Sequence, residues 1–147
     1  MSFAPIVGVN NHGQTILFGC DLLKDETTRS FVYFIETFLN VVRRNEIKTI
    51  FTDQATPIAN AIKEVLPNTH HRLCLWHIYQ NALKHLSNVF TTHKSFAHDF
   101  RKCIYDNENE DEFQSCWEHL HDKYELRGNE WLNNLYQIRE KWALVYG

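Results

Sequence analysis

The chain has 147 residues, of which 44% are hydrophobic and 14% aromatic, and its formal net charge is −3 with neutral histidines. This length predicts one domain of ordinary size, and the aromatic content excludes a disordered chain. With 5 glycines and 3 prolines the chain is poor in turn residues, which disfavours an all-β sandwich. The acidic balance also differs from the broad basic surface of a self-sufficient nucleic-acid-binding module.

The cysteines and the hydropathy pattern indicate an intracellular protein. The 4 cysteines are widely spaced along the chain, which predicts reduced thiols rather than a disulfide scaffold. No apolar run approaches the ~20 residues that a transmembrane helix needs. The N-terminus lacks the basic and then apolar pattern of a signal peptide. We therefore expect no membrane partner.

The first elements in chain order are a hairpin and a helix. The apolar runs 3–9 and 14–23 flank a turn signal rich in Asn and Gly, which predicts a β-hairpin. Apolar residues then recur every three or four positions over 31–42, which predicts an amphipathic helix. Arg43 and Arg44 are predicted to lie in its last turn, where cations complement the helix dipole.

Further along, the β-type runs 48–52 and 69–75 predict two more strands, with a helix between them that Pro57 opens. Beyond residue 76 the apolar residues keep helical spacing, and the Trp residues fit the apolar stripes as core anchors. These stripes predict four helices, over 79–90, 96–104, 113–124 and 131–145. The fold class is therefore mixed α/β, with the order β-β-α-β-α-β followed by an all-helical segment.

Asp53 stands at the carboxyl end of a predicted strand. Carboxylates gather at such strand ends, where several together can hold the divalent metal ions of phosphoryl transfer. A single Asp after a strand is also typical of a helix N-cap or of a turn. The pattern alone leaves both interpretations open.

Cys74 and His77 form a C-x-x-H unit at a predicted strand-to-helix transition. Thiolate and imidazole are both zinc ligands, and a closed structural site needs two more. The candidates for those two are Cys20, His12, His70 and His71. The alternatives are a buried structural cysteine and histidine, or a nucleophile with its base.

A small basic cluster, His70, His71 and Arg72, lies at the start of the fourth predicted strand. It could contact a phosphate group, or it could form a polar strand edge. The sequence contains no Gly-rich phosphate loop, no G-x-S-x-G and no H-E-x-x-H motif. Common hydrolase and kinase chemistry therefore has no motif here.

An ordered set of motifs resembles the Mutator-like transposase domain of the plant far-red impaired response and far-red elongated hypocotyl family. The motifs are 3–10 (FAPIVGVN), 17–20 (LFGC), 25–28 (DETT), 52–54 (TDQ), 71–78 (HRLCLWHI) and 129–132 (NEWL). They are spread over nearly the whole chain and occur in the family's order.

This resemblance implies an RNase H-like core similar to that of the DDE transposases, which use three carboxylates and Mg²⁺. It places Asp53 at the second carboxylate, as a vestigial Mg²⁺ ligand, and makes Cys74 and His77 the family's C-x-x-H signature. The domains expected are a partial core over 1–77, lacking its first strand, and a helical insertion region over 78–147.

The resemblance also shows departures from the family pattern. The family's first carboxylate precedes the FAP-x-VGVN segment, and its third follows the Lys-Trp segment. Both lie outside this sequence. One carboxylate cannot organise two metal ions. We therefore expect no catalysis and no bound cofactor in this chain, with Mg²⁺ implied only by ancestry and zinc left open at Cys74 and His77.

The function implied is that of a folded assembly scaffold in a nuclear transcription-regulatory protein. Its partners would be sister chains of the family or other transcription regulators, and DNA would be bound only indirectly, through domains outside this sequence. The alternatives are a fragment of an active Mutator-like transposase and a degenerate fragment without a role. Because a core strand is expected to be missing, we expect marginal stability and self-association.

Overall fold

The computed structural model describes residues 1–10, 12–42 and 47–147. The predicted helix-end positions Arg43 and Arg44 lie outside the described residues. The chain forms two compact units, Met1–His71 and Arg72–Gly147, and each is described by itself below. The domain boundary predicted after residue 77 stays a prediction.

The described elements of the first half follow the predicted order. They are β1 (Ser2–Val9), β2 (Thr15–Leu23), α1 (Thr28–Val41), β3 (Thr49–Thr52), α2 (Thr56–Val65) and β4 (His70–Leu73). The described strands pair as two separate two-stranded sheets, β1 with β2 and β3 with β4. The mixed α/β class is confirmed, whereas the RNase H-like character of this half stays a prediction.

The β1–β2 hairpin is antiparallel and is closed by a short polar turn. Its register runs from Ser2 opposite Leu23 to Val9 opposite Thr15, with an irregularity between Ile6 and Val7. In the turn, the Asn10 side-chain carbonyl accepts hydrogen bonds from the backbone N–H groups of His12 and Gln14, each at 2.9 Å. Gly13 has a φ of 73°, a conformation that favours glycine.

Two helices bury their apolar faces in the core of the first unit. Thr27 caps α1, because its hydroxyl accepts a hydrogen bond from the Ser30 N–H. The buried core residues are Leu23, Phe31, Ile35, Ala61 and Ile62. The helix periodicity predicted these contacts, since the α1 and α2 members lie on the predicted apolar faces.

The second unit is helical, but its helices differ in number from the prediction. They are α3 (Leu75–His85), α4 (Ser87–Thr92), α5 (Phe96–Tyr105), α6 (Glu110–Lys123) and α7 (Glu130–Gln137), followed by the 3₁₀ turns Arg139–Lys141 and Leu144–Tyr146. The predicted helix 79–90 is split at Leu86, whose φ of −117° departs from helical geometry. Leu86 stays buried across the break, so the apolar spacing gave no sign of it. The predicted last helix, in turn, ends early at Gln137.

Aromatic side chains fill the core of the second unit. Phe96, Phe100, Phe113, Trp117 and Trp142 are all buried. The expectation that the tryptophans are core anchors is wrong for Trp76, which is 60% exposed. Its position in the first turn of α3 directs it away from the buried side chain of Ile78. Within the described residues, no helix is both long enough and apolar enough to span a bilayer.

Candidate functional site

Asp53 lies directly after β3, and its side chain is exposed. One carboxylate oxygen accepts a hydrogen bond from the Ala55 N–H at 3.1 Å. Ala55 is the N-cap of α2 and offers no side-chain cap of its own. The Asp53 carboxylate therefore orders the turn that leads into α2, which is the turn role that the pattern had left open.

Thr52, the residue before Asp53, connects β3 to β4 through a side-chain hydrogen bond with His71. Thr52 is 7% exposed, and its hydroxyl donates to the Asp53 carbonyl at 2.8 Å. The same hydroxyl oxygen lies 2.8 Å from His71 Nε2. The Thr52 hydroxyl proton is already donated to the Asp53 carbonyl. In the bond between Thr52 and His71, His71 Nε2–H is therefore the donor and the Thr52 hydroxyl oxygen is the acceptor.

The predicted basic cluster does not form one exposed patch. His70 is exposed, His71 is half-buried and bonded to Thr52, and Arg72 is buried. Three consecutive strand residues alternate between faces, so their side chains cannot all point the same way. Of the two interpretations that the sequence left open, the strand geometry favours the polar strand edge for the two histidines.

Arg72 is a buried cation, 6% exposed, which neither a phosphate contact nor a polar strand edge anticipates. One guanidinium nitrogen donates to the Ala143 carbonyl at 2.8 Å, and another is buried without a hydrogen-bond partner. A Cβ added at Gly147 would lie 2.8 Å from the guanidinium carbon, so the backbone closely approaches the cation there. Nothing in the local sequence signals this burial, because the contacts come from the far end of the second unit.

Cys74 immediately precedes α3, and His77 lies in its first turn. Cys74 is the N-cap and makes no side-chain capping bond. His77 Nδ1 is buried and has no hydrogen-bond partner, while the ring contacts Trp76 edge-on at 4.9 Å between centroids. An unpaired imidazole nitrogen three residues from a thiol is compatible with a pair of metal ligands.

The further ligands that a metal centre needs are not grouped in the described part of the chain. Across residues 1–10, 12–42 and 47–147, no three His, Cys, Asp or Glu side chains lie close enough together to hold a metal ion. Within these ranges, the donors around Asp53 do not make up a two-metal site, and those around Cys74 and His77 do not make up a closed zinc site.

One face of the hairpin is an exposed apolar surface. We call Phe3, Val7, Val9, Leu17 and Leu22 the hairpin face. In the register, Phe3 lies opposite Leu22 and Val7 opposite Leu17. All five side chains are between 56% and 72% exposed.

The opposite face of the hairpin is covered in part, because Ile16 and Phe18 on it remain 40% and 58% exposed. Ala4 packs against the core of the first unit, and Leu23 is part of that core. Residues of β1 alternate strictly between partly buried and exposed. The apolar character of both faces was visible in the sequence, since near-continuous apolar runs are typical of strands buried on both sides.

Comparison with known proteins identifies the class of domain. The sequence profile of the MULE transposase domain matches residues 1–81. The chain therefore belongs to the MULE transposase domain family.

Similar proteins in Arabidopsis thaliana extend the match along the chain. The protein FAR1-RELATED SEQUENCE 5 is 44% identical over 99% of this chain, and FAR-RED IMPAIRED RESPONSE 1 is 37% identical over the same share. FAR1-RELATED SEQUENCE 12 is 35% identical over 98%. The chain spans 18% of the length of each of these three relatives. The resemblance to the far-red impaired response family is thereby confirmed.

Proposed function

We propose that this chain is a non-catalytic, transposase-derived domain of a nuclear transcription-regulatory protein. Within that longer protein, the domain acts as an assembly scaffold that binds sister chains through the hairpin face. The observation that carries the proposal is the hairpin face itself, five exposed apolar side chains on one side of a paired sheet.

Apolar burial would drive the association. Covering a large aliphatic or aromatic side chain stabilises a contact by roughly 1.5–3 kcal/mol, and contiguous exposed apolar patches mark interaction surfaces. Among the described strands, β1 pairs only with β2, so each also has an edge at which another strand could add. A second copy of this chain presents the same face, and a two-fold contact between identical faces is self-complementary.

The state of Asp53 supports the non-catalytic part of the proposal. Its carboxylate already orders the turn before α2. In the described residues it is not grouped with two further metal-ligating side chains. In-line phosphoryl transfer with two metal ions needs several convergent carboxylates.

The alternative, a fragment of an active Mutator-like transposase, rests on the exposed position of Asp53 at a strand end. A Mg²⁺-dependent DNA nick that disappears in Asp53→Ala would favour it over the scaffold. Asp53→Asn is the matched control, because it keeps a side-chain acceptor for the Ala55 N–H while removing the charge.

The nuclear and regulatory parts of the proposal derive from the relatives. One of them carries a name that refers to an impaired far-red response, which suggests a signalling role for the longer protein. We infer that DNA is bound by other parts of such a protein, because this chain is acidic overall. A fluorescent fusion of the full-length protein is expected in the nucleus, and a fusion that stays outside it would contradict this assignment.

A pull-down tests the scaffold directly. A tagged copy of the chain should retain an untagged sister chain, and the double variant Val7→Lys/Leu17→Glu should lose it. The two changes are opposite in sign and lie opposite each other in the register, so the hairpin gains a favourable cross-strand pair. The matched control is Tyr33→Glu/Val41→Lys, two exposed positions on α1 with the same net charge change.

A further inference from the structure

The Arg72 guanidinium is a buried positive charge, and no negative charge pairs with it in the described part of the chain. Arg72 is 6% exposed, and none of the ion pairs among the described residues includes it. Its Nη2 donates to the Ala143 carbonyl at 2.8 Å, whereas its Nη1 is buried without a hydrogen-bond partner. Burying a charge is costly unless an opposite charge and hydrogen bonds compensate it. An anion is the group that would supply both.

The remaining donors of Arg72 suit a carboxylate. Each terminal nitrogen of a guanidinium carries two N–H groups, and the bond to Ala143 uses one of those on Nη2. The second N–H of Nη2 and both of Nη1 are left. The two terminal nitrogens lie side by side, at a spacing that matches the two oxygens of a carboxylate. A water molecule or a carbonyl would satisfy Nη1 but would leave the charge uncompensated.

The backbone at Gly147 lies against the guanidinium and controls access to it. A Cβ added there would lie 2.8 Å from both the guanidinium carbon and Nη1 of Arg72. Gly147 itself is exposed, and its N–H donates to the Leu144 carbonyl at 3.2 Å, in a 3₁₀ turn whose hydrogen-bond geometry is poorer than that of an α-helix. The preceding Tyr146 is held separately, since its hydroxyl accepts from Arg139 Nε at 3.2 Å. A ligand can therefore reach Nη1 by displacing Gly147 while Tyr146 stays in place.

We propose that Arg72 is the centre of a carboxylate-binding site in the second unit. The carboxylate is held end-on, with one oxygen at Nη1 and the other at Nη2, while Nη2 keeps its bond to the Ala143 carbonyl. A free small acid and an Asp or Glu side chain of another protein segment present the same two oxygens. Binding of either gives the buried cation its counter-charge and therefore stabilises the folded chain.

Arginine side-chain NMR on the folded, isotope-labelled chain tests the proposal. The chain is titrated with sodium acetate, and separately with an end-blocked peptide that carries one glutamate, each against sodium chloride at equal ionic strength. The same peptide with glutamine in place of glutamate is the matched control. We expect the guanidinium signals of Arg72 to shift saturably with acetate and with the glutamate peptide, and not with chloride or the glutamine peptide. Tighter binding of the peptide than of acetate identifies a protein side chain as the source, and the reverse order identifies a free acid.

Variants show whether the effect belongs to Arg72. Acetate should raise the unfolding temperature of the wild-type chain above its value in chloride, and Arg72→Met should lose this response. Arg101→Met is the control, because it removes an exposed arginine of α5 and should keep the response. If Arg72→Met does not fold, the wild-type titration decides. The proposal is overturned if the Arg72 signals do not saturate with either carboxylate, if chloride shifts them equally, or if Arg72→Met keeps the acetate response.

Discussion

The aromatic ring of Phe18 on β2 lies directly over Gly8 on β1, so that a Cβ at residue 8 would overlap the ring. Phe18 also contacts Phe38 of α1, with ring centroids 6.5 Å apart. The presence of glycine at position 8 of the FAPIVGVN segment is thus explained, because Gly8 leaves room for the Phe18 ring that contacts α1.

Replacing Gly8 is therefore expected to destabilise the first unit. In Gly8→Ala the Phe18 ring must shift, and because Phe18 is 58% exposed we expect a cost near or below the lower end of the ~1–3 kcal/mol that overpacking costs in a closed core. Gly19→Ala is the control, because no atom lies within 4 Å of its added Cβ. Urea unfolding should show a lower midpoint for Gly8→Ala only, and equal midpoints for both variants would refute the packing role.

Tyr124 links α6 to α5 through its hydroxyl group. The hydroxyl donates to the Asp99 carboxylate at 2.7 Å and lies 2.9 Å from Ser95 Oγ. Tyr124 is 7% exposed, so Tyr124→Phe keeps the ring packing and removes only these bonds. We expect a loss of about 1–2 kcal/mol in the free energy of unfolding.

The pH dependence of this loss follows from Asp99. Hydrogen bonds from Lys123, and next from Tyr124, hold the pKa of Asp99 below its usual value. A carboxylate with a lowered folded-state pKa stabilises the fold above its unfolded pKa of about 3.9, and this stabilisation is lost as pH falls through the folded value. The difference between wild type and Tyr124→Phe should therefore narrow below about pH 4. A constant difference down to pH 2 would contradict the charge-assisted bond.

Removing metal ions is expected to change the thermal stability of the isolated chain little. Cys74 and His77 supply two donors, and in the described residues no third His, Cys, Asp or Glu joins them. Two ligands hold zinc weakly compared with the four of a closed site. Treatment with a chelator should leave the unfolding temperature unchanged. Stoichiometric zinc that survives chelation in the wild type, but not in Cys74→Ser, would contradict this.

The sequence allowed the order of elements in the first half to be predicted because that order depends on local periodicity and turn residues. Pro57 lies at the start of α2, and Thr27 caps α1, as such residues do in many helices. The break at Leu86 was missed because the apolar spacing continues across it.

Tertiary contacts explain what else was missed at the candidate sites. The burial of Arg72 depends on Ala143, which lies 71 residues further along the chain. This burial has no local signature in the sequence. For Asp53 the pattern identified the strand-end position correctly, but only the structure shows its bond to the Ala55 N–H.

Sedimentation velocity over a concentration series is the most direct measurement of whether the hairpin face joins sister chains. Wild-type chain and the Tyr33→Glu/Val41→Lys control should both shift from monomer to dimer as concentration rises. Val7→Lys/Leu17→Glu should sediment as a folded monomer throughout. A wild-type chain that remains monomeric at every concentration, or a hairpin-face variant that dimerises as strongly as the control, would contradict the scaffold role proposed for this domain.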